Sequence, residues 1–127
     1  MTQTFTAPHD LDLALTAYAS ALEQKRNAEM KVWASKYPDT AAVNMASYHV
    51  SVTFEPGSKY LRVVMADGYR TTGTHRSAYA FIVAKDTDQF KVGDILKAAS
   101  WKAPAKNFAR GNVFRPETYE RHSPYGL

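Results

Sequence analysis

Tyr48-His49-Val50-Ser51-Val52-Thr53-Phe54-Glu55-Pro56-Gly57-Ser58-Lys59-Tyr60-Leu61-Arg62-Val63-Val64-Met65 is the stretch that decides the fold. Tyr48, Val50, Val52 and Phe54 alternate with His49, Ser51, Thr53 and Glu55. A period of two is the mark of a strand with one buried face. Glu55-Pro56-Gly57-Ser58 then supplies a turn, with proline and glycine suited to the central positions of type II. Lys59–Met65 reads as the return arm of an antiparallel hairpin. Asp67-Gly68 is a second turn signal, followed by a short extended piece over Tyr69–Gly73. Further on, Arg76–Ala84 reads as a strand with Tyr79, Phe81 and Val83 on one face and Ala78, Ala80 and Ile82 on the other. Asp86-Thr87-Asp88 makes a polar turn. Val92–Ala98 is a last strand, with Gly93-Asp94 as the point where it can break. Pro104–Ala109 reads as a short helical turn stopped by Gly111.

Before the hairpin the period changes. Leu11 to Tyr37 holds no proline or glycine, and Leu11, Leu15, Tyr18 and Leu22 recur every three or four residues. That is one apolar stripe on an amphipathic helix, opened by Asp10 as N-cap and ended by Pro38. The stripe lapses at Lys25-Arg26-Asn27 and resumes at Met30, Trp33 and Tyr37. The expected fold is α+β: a long N-terminal helix packed on an antiparallel β-meander, with an irregular C-terminal arm. A single domain spans 1–127, with the helix over 10–37, the sheet over 46–98, and a basic loop and arm over 99–127. Alanines 14, 17, 19, 21 and 28 admit close packing of a second helix, and a small sheet leaves area to cover. A homo-oligomer is therefore expected.

Composition excludes several chemistries. The chain has 127 residues and no cysteine, hence no disulfide frame, thiolate metal site or thiol nucleophile. No apolar run reaches the roughly 20 residues of a membrane span, so no membrane partner is expected. The four histidines are scattered, without the spacing of a helical zinc pair. Gly57, Gly68 and Gly73 lie too far apart to cradle a phosphate. Neither enzyme activity, nor a cofactor, nor a metal is expected. His75 and Arg76, in Thr71-Thr72-Gly73-Thr74-His75-Arg76-Ser77, suit a phosphate loop; the alternative, and the favoured one, is a plain turn.

The charge pattern points to a ligand class. From Ile95 to Pro116 there are five basic residues, Lys97, Lys102, Lys106, Arg110 and Arg115, and no acidic one, in a chain of net charge +4. Trp101, Phe108, Phe114, Asn107 and Asn112 are interspersed. Cations meet phosphates, rings stack on bases and amides read base edges. Lys97, Lys102, Lys106 and Arg110 are the candidates for phosphate. Trp101 and Phe108 are the candidates for stacking, joined by Phe81 if its face opens to a pocket. Asn107 and Asn112 are the candidates for base edge or ribose. The same pattern also fits a solvated basic loop pinned by core aromatics.

The string Gly93-Asp94-Ile95-Leu96-Lys97-Ala98-Ala99-Ser100-Trp101-Lys102-Ala103-Pro104-Ala105-Lys106, followed by Ala109-Arg110-Gly111-Asn112-Val113-Phe114, resembles a C-terminal signature of small tailed-bacteriophage proteins. Ser77–Val83 is similar to the strand that precedes it. The organisation resembles the Thoeris anti-defence sponge proteins, oligomers with a helical part on an antiparallel sheet. These sequester cyclic nucleotide signals without cleaving them. The resemblance implies a phage-encoded binding protein in the cytoplasm of the infected host. It would capture a small phosphorylated nucleotide at an oligomer interface, with Arg110 and Phe81 among the contacts. The alternatives are a single-stranded nucleic-acid-binding protein using the same residues along an open groove, and a phage structural or host-interaction protein.

Overall fold

Helix α1 runs unbroken from Pro8 to Lys36. It starts two residues before the expected cap, so Asp10 sits in the first turn, where its charge complements the helix dipole. The computed structural model describes residues 8–36, 48–69, 73–124 and 126–127. Tyr37, Pro38, the sheet's expected first residues 46–47 and residues 70–72 lie outside this set.

Leu15, Tyr18 and Leu22 form the buried stripe of α1 and pack on Val52, Val63, Met65, Tyr79, Ala80, Ile82 and Ile95. Each such side chain contributes roughly 1.5–3 kcal/mol by leaving water. From Glu23 to Lys36 no helix residue is buried. The resumed stripe at Met30 and Trp33 is half-buried only.

The sheet is a meander in the order β1-β2-β3-β4-β5. Its strands are β1 (Tyr48–Pro56), β2 (Tyr60–Tyr69), β3 (Gly73–Val83), β4 (Asp94–Lys97) and β5 (Gly111–Asn112). Every neighbouring pair is antiparallel. The α+β arrangement is as expected, and several local details differ.

Asp67-Gly68 is no turn: it lies inside β2, paired with His75 and Thr74. Glycine is needed there because a Cβ would collide with the Gly73 carbonyl oxygen on the facing strand. The signal was close backbone approach, which also selects glycine.

Tyr79 is on the wrong face of the sequence reading. Val63 pairs with Ala80 but Val64 with Ala78, so Tyr79 is the extra residue of a bulge on β3. The bulge shifts the alternation by one. Tyr79 joins Ala80 and Ile82 in the core under α1. Phe81 and Val83 go to the opposite face, with Phe90 and Leu96.

Pro104–Ala109 forms no helical turn. Ala98 bridges Pro104, and the Ala105 amide donates to the Lys97 carbonyl at 2.7 Å. Gly111 therefore opens β5 instead of stopping a helix. The expected last strand is shorter than Val92–Ala98: Val92 and Gly93 form a turn and β4 begins at Asp94, with a Gly93 φ of 90° that favours glycine and a Cβ there meeting the Phe114 ring at 2.8 Å.

The C-terminal arm is docked by polar contacts. The Lys25 ammonium donates to the carbonyls of Tyr119, Glu120 and His122 at 2.9, 2.6 and 3.0 Å. The Tyr79 hydroxyl donates to the Ser123 carbonyl at 2.5 Å. Tyr18 and Tyr119 meet edge to face, 4.8 Å between centroids. Opposite α1, part of the sheet is covered by Ala98, Ala109 and Tyr60; Ser51, Thr53, Thr74 and Arg76 stay exposed.

Candidate functional site

Cross-strand pairing builds the site. Arg62 on β2 stands opposite Glu55 on β1 and Phe81 on β3. Arg62 Nη1 donates to Glu55 Oε1 at 2.8 Å, and Arg76 Nη2 donates to Glu55 Oε2 at 2.6 Å. One carboxylate thus holds two guanidiniums, leaving the group with net charge +1. These two hydrogen bonds, that from Arg62 first, hold the Glu55 carboxyl below its ordinary range.

Trp101 lies against both cations. Its ring centroid is 4.7 Å from Arg62 Cζ and 5.4 Å from Arg76 Cζ. Arg62 Nε donates to the Trp101 carbonyl at 2.6 Å. The residue remains 39% exposed, so indole surface is free to stack. Beside it is a cavity of about 200 Å³ between the Pro56–Lys59 turn and Lys102, lined also by Tyr60, Arg62 and Phe81. The face of Phe81 does open to a pocket. Lys59 and Lys102 have no ion pair among the described residues.

The other expected ligand residues do not converge here. Lys106 places its ammonium 5.8 Å from the Tyr60 ring centroid. Phe108 is 55% exposed, with Arg110 Cζ 4.2 Å from its centroid. Arg110 lines a different cavity, with Arg121, His122, Ser123, Gly126 and Leu127, that shares no residue with the first. Lys97 pairs with Ala80 and lines a third cavity with Arg26 and Asp67, on the helix side of the sheet. Strand alternation sends Lys97 through the sheet while Phe81 and Leu96 stay on the other face.

Asn112 is spent on structure. Its Nδ2 donates to the Val92 carbonyl and Asp94 Oδ1, and its Oδ1 accepts from the Phe114 amide. It locks the β4–β5 corner and has little left for a ligand. Asn107 Oδ1 accepts from the next amide, Phe108, at 2.9 Å. His75 is exposed on β3, opposite Asp67. No group of three or more His, Asp or Glu side chains able to hold a metal occurs among the described residues. No described helix is long and apolar enough to cross a membrane.

Residues 2–123 match the model of a protein family described as a family of unknown function, DUF7717. The chain belongs to that family. No curated protein and no solved structure matches it. In this DUF7717 member the matched segment contains Glu55, Arg62, Arg76, Trp101 and the whole hairpin-turn cavity. It also contains Arg110, Arg121 and His122.

Sequence reasoning missed Glu55, Lys59 and Arg62. The hairpin itself carried the signal: a tight turn over Gly57-Ser58-Lys59, closed by the Gly57 amide on the Tyr60 carbonyl, sets Glu55 opposite Arg62. No local pattern brings Arg76 to the same carboxylate, since that contact crosses β2.

Proposed function

We propose that this DUF7717 member is a binding protein, not an enzyme, that captures a small phosphorylated nucleotide at Trp101 and the adjoining hairpin-turn cavity. The carrying observation is the exposed Trp101 ring held against Arg62 and Arg76 beside Lys59 and Lys102. An exposed indole offers a base a stacking surface worth roughly 1–3 kcal/mol. The adjacent cations then meet the phosphates, with Arg62 offering Nη2, which has no hydrogen-bond partner among the described residues. The resemblance to sponge proteins supplies the biological setting: sequestration, without cleavage, of a cyclic nucleotide immune signal in a phage-infected cell. In that setting a second copy of the chain closes the open side of the cavity.

A second reading is binding of single-stranded nucleic acid. Two exposed rings on one loop, Trp101 and Phe108, favour it. Each has a cation alongside, Arg62 and Arg76 at Trp101 and Arg110 at Phe108.

Titration calorimetry with a cyclic dinucleotide, an ADP-ribose derivative and single-stranded DNA over a salt series separates the readings. Tight binding of a small ligand that mass spectrometry recovers intact supports the first. Binding of DNA alone, falling steeply with salt as counterions are released, supports the second. A new product, or heat with none of the three ligands, overturns the proposal.

A further inference from the structure

We propose that Arg110, Arg121 and His122 form a second anion site, independent of the nucleotide face, that takes a phosphate monoester and gains a proton at His122 when filled. The site is a cavity of about 330 Å³ between the β4–β5 connection and the C-terminal arm. Its lining holds two guanidiniums and an imidazole and no carboxylate side chain.

Arg110 is built in place. Its amide donates to the Ile95 carbonyl at 2.7 Å, and its own carbonyl accepts from His122 Nε2 at 2.9 Å. Its guanidinium stacks on Phe108 and pairs with no acid among the described residues. Arg110 Nε and His122 Nδ1 are both buried without a hydrogen-bond partner. Buried polar atoms are almost always bonded, so the orphan Arg110 Nε–H points to an acceptor that arrives from outside, and His122 Nδ1, an acceptor in the neutral ring, can meet that same acceptor only once protonated. An oxyanion satisfies a guanidinium in the planar, forked manner that arginine favours.

The imidazole explains the proton. With Nε2 donating to the Arg110 carbonyl, the neutral ring leaves Nδ1 bare. The side chains around it are cationic or neutral: Lys25 from α1, bound to the His122 carbonyl, Arg110, Arg121 beside it, and the Tyr119 ring 6.4 Å away; Leu127 brings its terminal carboxylate to the same cavity. Glu120 precedes Arg121 on the exposed side of the arm. Burial first, then Lys25 and Arg110, hold His122 below its ordinary value. A dianion reverses the sign of the local field and stabilises the imidazolium, so Nδ1 becomes a donor. Two fixed charges and one acquired charge match a phosphate monoester, and the cavity leaves room for its organic part.

Nuclear magnetic resonance on the full chain tests this, following Arg110 Nε–H and the His122 ring during titration with inorganic phosphate and then phenyl phosphate. Both signals are expected to shift saturably, and the His122 midpoint to rise by about one unit. Phenyl phosphate should bind more tightly than inorganic phosphate. Arg121 is exposed and makes no hydrogen bond or ion pair among the described residues, so Arg121→Ala keeps the fold. It is expected to weaken phosphate about tenfold, and Arg110→Lys by at least as much. Trp101→Ala should leave the phosphate-induced shifts of Arg110 Nε–H and the His122 ring unchanged, which separates this site from the nucleotide face. Unmoved Arg110 and His122 signals, or full phosphate affinity in both arginine variants, would overturn the proposal.

Discussion

Arg62 holds Trp101 twice, through a hydrogen bond from Nε to the tryptophan carbonyl at 2.6 Å and through its guanidinium, 4.7 Å from the ring centroid. Backbone and side chain of the loop are thus fixed by one residue of the sheet. Because Arg62 is itself tied to Glu55, the indole is presented in one orientation instead of sampling many. Preorganisation of this kind lowers the entropy lost on binding.

Trp101→Ala is expected to weaken nucleotide binding by roughly 1–3 kcal/mol, about five- to 150-fold. The melting temperature should change little, since the residue is 39% exposed. Calorimetry and a thermal melt on the same sample check both halves. Unchanged affinity would move the site off this loop.

Acid is expected to loosen the cluster. The Glu55 carboxyl lies below its ordinary value of 4.5 because Arg62 and Arg76 bond to it. A group with a depressed native pKa contributes stability above its unfolded value and loses it as pH falls through the native one. The loss therefore begins below about pH 4.5 and shows as a change in Trp101 fluorescence. Glu55→Gln should lack this step and should already show the loosened signal at neutral pH.

Lys25→Met is expected to release the arm while keeping the apolar stem of the side chain. Three carbonyls lose a charged donor. With the group partly solvated, the cost is about 1–2 kcal/mol. Hydrogen exchange should report it at the His122 amide, which donates to the Tyr119 carbonyl in the wild type. Protection of that amide equal to wild type would mean that Tyr79 and the apolar contacts suffice.

Stability is expected to fall on mild acidification through His122. Burial, with Lys25 and Arg110 nearby, lowers its pKa beneath the ordinary 6.5. The unfolded chain then takes up the proton first, so stability declines as pH drops below about 6.5 and levels off beneath the native pKa. Urea melts across this range should show the slope, and His122→Gln should remove it.

Much of the framework is legible from the chain. The helix follows from an apolar residue every three or four positions with no proline or glycine, and β1 follows from strict alternation. The basic loop and its exposed aromatics are visible as composition. The site is legible only in part. Phe81 and Lys102 line one cavity, with Trp101 held next to it by Arg62, but Lys97, Arg110 and Asn112 do not, because a segment that wraps a sheet distributes its side chains over both faces and both ends.

What the amino-acid sequence determined by itself is everything set by local periodicity: one long helix, an antiparallel meander and a cationic, aromatic loop. Such signals need only neighbours along the chain. The tertiary structure alone decided which face each residue took and which charges met. One bulge at Tyr79 reversed the side-chain alternation of β3, and a one-residue shift moves every following side chain to the other face. Glu55, Arg62, Arg76 and Trp101 are distant in sequence, and pairing of three strands with one loop brings them together. That convergence depends on register and packing, which no local pattern encodes.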